Sequence, residues 1–138
     1  MKNLHFLVFI FSTTFCYSQS LEDNIYAATE SFYSQPDTQG FETLNSDIIK
    51  FEPQLKTEDE YFAFINLIVI KAYYLSEQNK QRQAISAYEK AYQIYIKNSV
   101  LSYDIIEYCL IPLGVLYHKS NAYLKAENII KHYIVVAE

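Results

Sequence analysis

The sequence predicts an all-α chain, an α-solenoid of antiparallel helix hairpins, and three observations carry that prediction. Glycine and proline number only two and three in 138 residues, too few for a turn-rich β fold. Apolar residues recur at intervals of three and four along most of the chain. Two consecutive stretches match each other at a constant offset of 42 residues, which marks an internal repeat. With 51% apolar residues, the chain has enough to bury a core in one small domain.

Residues 1–18 read as a secretory signal peptide. Lys2 supplies the positive start, Leu4 to Phe11 is an apolar run broken only by His5, and Cys16 and Ser18 are small residues at the cleavage-reading positions. The run is shorter than the roughly 20 residues that span a bilayer. The mature chain is therefore expected to be exported, periplasmic or extracellular, without a membrane span. Lipid attachment at Cys16 is the alternative, although Phe15 is bulky where a lipoprotein leader takes a small residue. Lys2 is the one charged residue of this segment, so its removal moves the formal net charge from −5 to −6. No Lys/Arg cluster alternates with aromatics, which argues against nucleic acid as a partner. Cys109 is then the remaining cysteine, flanked by Tyr108, Leu110 and Ile111, and is expected to be a buried thiol without an internal disulfide.

Residues 19–56 form a degenerate helical hairpin. Leu21, Ile25, Ala28 and Phe32 give the first stripe, turn formers crowd Ser34 to Gly40, and Phe41, Leu44, Ile48 and Phe51 give the second until Pro53 stops it. Residues 57–98 hold the first full unit. Thr57 followed by Glu60 is a capping box, with Glu58 and Asp59 also at the positive end of the helix it starts. That helix runs to about Gln78, and its nearly continuous apolarity predicts a neighbour on each side. After Asn79-Lys80, Ala84, Ile85, Tyr88, Ala91, Tyr92 and Tyr95 line one face of its partner. Residues 99–138 hold the second unit. Pro112 cannot donate to the Tyr108 carbonyl, so a kink or break is expected there.

Ile68, Ala72, Leu75, Ala84, Tyr88 and Ala91 correspond in order to Leu110, Gly114, Tyr117, Ala126, Ile130 and Tyr133. The inter-helix turns match too, Asn79 with Asn121, and asparagine tolerates the left-handed backbone such a turn needs. Small residues face small residues, so the helix axes approach closely, and Tyr88, Tyr117 and Ile130 are expected to fill the space beside them. Leu113-Gly114-x-x-Tyr117, followed by Ala126 and an apolar residue four later, resembles the tetratricopeptide repeat pattern. Lys71 and Ala72 depart from it in the first copy, whereas Ala84-x-x-x-Tyr88-x-x-Ala91 fits its second half. A period of 42 residues exceeds the usual 34 or so, as in long-repeat members.

Tyr103-Asp-Ile-Ile-Glu-Tyr-Cys109, Pro112-Leu-Gly114 and Ala126-Glu-Asn128 carry a narrower resemblance, to the N-terminal repeats of exported bacterial proteins that join tetratricopeptide repeats to a CHAT domain, a caspase-like fold. The resemblance implies one of two roles. The chain is a protein-interaction scaffold without catalysis of its own, or it is the regulatory front of a CHAT-type cysteine peptidase whose His and Cys would lie in a separate domain. Apolar residues crowd 126–138 on more than one side, so further repeats or another chain are expected to pack there.

The residues themselves mark no chemistry. Cys109 and His118 lack an orienting acid and an oxyanion site, His118 and His132 lack further ligands for a metal, and Gly40 and Gly114 make no phosphate loop. No cofactor is expected. Binding remains, to a protein or peptide. In the tetratricopeptide family the first helix of each pair lines the groove, which by alignment implies Asn66, Val69, Tyr73, Tyr108, Ile111 and Val115, with His118 and Lys119 near the rim. Only Asn66 suits the family's grip on a peptide carboxylate, so an apolar, tyrosine-rich groove is the expectation.

Overall fold

The computed structural model describes residues 19–137; the expected signal peptide, Cys16 included, lies outside them, as do the side chains of Tyr133, Val135, Val136 and Ala137 and residue Glu138. Every regular element among the described residues is helical. They are α1 (Leu21–Ser34), α2 (Thr38–Phe51), α3 (Glu58–Glu77), α4 (Gln81–Asn98), α5 (Ile111–Lys119) and α6 (Tyr123–Ala137), with a 3₁₀ turn at Glu52–Gln54 and a π-helical turn at Ile106–Leu110. None is long and apolar enough to cross a membrane.

Local chemistry sets the helix ends. Ser20 caps α1, its hydroxyl accepting from the Asp23 amide at 3.1 Å while Asp23 accepts from the Ser20 amide at 3.2 Å. The Thr57–Glu60 box forms in the same way, with the Glu60 amide 3.3 Å from the Thr57 hydroxyl and the Thr57 amide 3.0 Å from the Glu60 carboxylate. Such caps contribute about 1 kcal/mol each. Helix α2 begins three residues before its first apolar stripe residue, because Asp37 accepts from the Gly40 amide at 2.8 Å. Gly40 is needed there. A Cβ at that position would lie 1.9 Å from the Gln35 carbonyl oxygen.

The break expected at Pro112 takes the form of the π-helical turn. The Ile111 amide donates to the Ile106 carbonyl, five residues back, and Pro112 stands at the start of α5. The missing N–H thus falls where the register returns to the α spacing, a position that tolerates proline.

Helix α3 is the centre of the fold. It packs against α1 and α2 on one side and α4 on the other, which is why Ala63, Phe64, Ile65, Leu67, Ile68, Val69, Ile70, Ala72 and Leu75 are all buried. Ala72, Ala84 and Ala91 are fully enclosed where α3 meets α4. Helix α5 packs on α4 and α6. Its own Tyr117 is buried and ties three helices. The Tyr117 hydroxyl donates to Glu89 on α4, and Lys125 on α6 reaches the same carboxylate at 3.1 Å while its ammonium lies 5.2 Å from the Tyr117 ring centroid. Both bonds hold the Glu89 carboxyl below its ordinary range, the tyrosine bond most.

The second helix pair departs from the sequence expectation at Ile130. Expected at the helix crossing, Ile130 is 59% exposed, and Ile129 takes the buried position. Its counterpart Tyr88 is enclosed because the π-helical turn and α5 lie on α4: the Cys109 thiol donates to the Tyr88 carbonyl at 3.3 Å. No described helix covers α6 in that way. Gly114 and Ala126 are likewise only half buried, and a Cβ on Gly114 would meet the Ile129 methyl at an ordinary 3.8 Å.

Candidate functional site

The residues expected to line one groove divide between two hollows. The first, about 570 Å³, collects Asn66, Val69 and Tyr73 from α3 and Tyr108 from the π-helical turn. The second, about 530 Å³, lies between α5 and α6 and collects Ile111, Val115 and His118. Lys119 is exposed and lines neither. Val69 is nearly enclosed, so it forms floor rather than contact surface.

The first hollow has the richer chemistry. Its walls include Phe32, Tyr33 and Pro36 from the first hairpin, none of which the sequence reading placed there, together with Tyr73, Tyr74 and Tyr108. Tyr73 is 60% exposed and Tyr108 52%, so both side chains are open to solvent. Tyr74 lies between two phenylalanines, edge-on to Phe32 at 5.2 Å and stacked on Phe41 at 5.0 Å, both favourable aromatic arrangements. Pro112, just past the π-helical turn, also lines the hollow. The charged residues that line the hollow are Glu77 and Glu107, and no Lys or Arg joins them. The sequence held a signal for these acids, since Glu77 ends α3 four residues after Tyr73 and Glu107 precedes Tyr108. Only the tertiary fold, which places the π-helical turn beside the end of α3, brings them to one site.

This charge pattern decides what the hollow suits. A peptide carboxylate would meet two carboxylates and no cation, so the familiar grip on a free C-terminus has no chemical basis here. Aromatic faces beside carboxylates suit a cation with an apolar stem, such as an arginine or lysine side chain.

None of the reactive groups weighed in the sequence lines the first hollow. Burial pushes the Cys109 thiol up to about 12, so it stays protonated at neutral pH. His118 is exposed and packs edge-on to Tyr123 at 5.5 Å. His132 meets the Tyr92 hydroxyl through Nδ1 at 2.9 Å. Among the described residues no cluster of three or more His, Cys, Asp or Glu is placed to hold a metal ion.

Compared with known proteins, the chain matches no family model, and no curated protein or solved structure is significantly similar to it. Among the described residues the fold defines an all-α protein.

Proposed function

We propose that this chain is an exported helical-repeat scaffold of the tetratricopeptide type, whose first hollow binds a peptide segment of a partner protein that presents a basic side chain among apolar ones. The observation that carries this reading is the combination of exposed tyrosines, Tyr73 and Tyr108, with Glu77 and Glu107 in one hollow. The solenoid arrangement draws support from the recurrence of the same turn at Asn79 and Asn121, 42 residues apart. Tyrosine supplies contact area at low entropic cost, and an acidic rim favours basic over acidic segments.

The test is an array of end-capped peptides that differ only in one Arg, Lys, Gln or Glu within an apolar frame, probed with the chain and with its Tyr73→Ala and Glu77→Lys variants. Preference for Arg and Lys, weakened by either variant, supports the reading; equal binding of Glu and Arg peptides sinks it. Export is tested separately, by N-terminal sequencing of the chain recovered from an exporting bacterial host, where a start at Gln19 is expected.

A further inference from the structure

The second hollow has a counterpart inside the same chain. Ile111, Gly114, Ala126 and Ile130 stand 42 residues after Val69, Ala72, Ala84 and Tyr88. The earlier four are 7%, 0%, 0% and 2% exposed, because α1 flanks α3 and the π-helical turn with α5 lies over α4. In the later set Ile111 is 52% and Ile130 59% exposed. The surface that the first unit presents to a neighbouring helix is therefore present again in the second, and open. What Ala126 and Ile130 lack is a helix in the place that the π-helical turn and α5 occupy on the preceding unit.

We propose that the occupant is α6 of a second copy of this chain, paired about a twofold axis near Ile130. Three features select it. The covering segment on the first unit has uncharged, buried residues four apart, Ile105, Cys109 and Leu113, and α6 carries an uncharged series at the same spacing, Ala126, Ile130 and Ile134. Of these, Ile130 and Ile134 are more than half exposed. One face thus holds both a ridge, Ile130 with Ile134, and a hollow floored by Gly114 and Ala126, which is the self-complementarity a twofold interface requires. The charges of α6 are already satisfied within the chain, Lys125 by Glu89 and Lys131 by Glu127 at 2.7 Å, so one α6 does not repel another. Ile130 is no part of the hollow at Tyr73 and Tyr108, and the two proposals stand or fall independently.

The experiment is light-scattering mass of the full chain, expressed in an exporting host and used as recovered, from about 1 to 100 µM. The expected result is a dimer that dissociates on dilution. Ile130→Glu weakens it at least tenfold with unchanged helical circular dichroism, and Ile49→Glu on the distant α2 leaves it intact. Should Ile130→Glu lose helix, Ile111→Lys on the facing wall gives the same reading. A monomer across the range overturns the proposal and leaves this face to another protein or a following segment. A dimer indifferent to both Ile130→Glu and Ile111→Lys overturns it equally.

Discussion

Asn79 and Asn121 hold the same left-handed backbone, with φ of 58° and 59°, and close their turns with the same bonds. The Asn79 amide reaches the Ser76 carbonyl and the Asn121 amide the His118 carbonyl, each at 3.0 Å, while Lys80 and Ala122 reach back five residues at 2.9 and 2.8 Å. This is the Schellman ending of a helix, and Ser99 repeats it at φ 52° after α4, with the following Val100 buried. Replacing Asn79 or Asn121 by alanine is expected to cost about 1 kcal/mol each in urea unfolding, and replacement by glycine to cost nothing measurable. Equal losses for alanine and glycine would count against backbone conformation as the reason for asparagine.

The Glu89 contact with Tyr117 and Lys125 makes stability acid-sensitive. The folded carboxyl titrates below its unfolded value of about 4.3. Its contribution is therefore complete above that value and is lost as pH falls through the lower, folded one. Asp37 and Glu60 shift the same way through backbone hydrogen bonds, so the comparison must be with Glu89→Gln. The melting-temperature gap between wild type and that variant should be constant from pH 7 to about 5 and narrow toward pH 3. A gap that widens in acid contradicts the assignment.

Tyr103 is 5% exposed, packs edge-on to Phe62 at 5.2 Å, and its hydroxyl has no protein partner among the described residues. Leaving a buried hydroxyl unbonded costs about 1–3 kcal/mol. Tyr103→Phe keeps the ring contacts and is expected to raise the urea midpoint. A lowered midpoint would mean that the hydroxyl is bonded in solution.

Cys109 should resist alkylation in the folded chain. Its thiol is buried, donates to the Tyr88 carbonyl and is pushed up to about 12. Iodoacetamide labelling at pH 8, read at Cys109 by peptide mass, should proceed only through opening of the structure and accelerate at least a hundredfold in denaturing urea. Comparable rates with and without urea would show that the π-helical turn is not packed as described.

What the sequence determined by itself is largely what neighbours within a few residues decide. The Thr57–Glu60 box, the asparagine turns, the interruption at Pro112 and the all-helical character rest on bonds spanning three to five residues, so the local chain carries their cause. The early start of α2 escaped because Asp37 and Gly40 look like loop residues until their bond forms. Which apolar residues are covered was decided only by tertiary structure. Tyr88 and Ile130 occupy matching positions, yet one is enclosed by α5 and the other has no described helix over it. Nothing in the residues themselves distinguishes them, since burial belongs to the partner as much as to the side chain. The same reason divided the expected groove in two and brought Tyr33 and Pro36 to Tyr73 and Tyr108, through contacts between segments far apart in the chain.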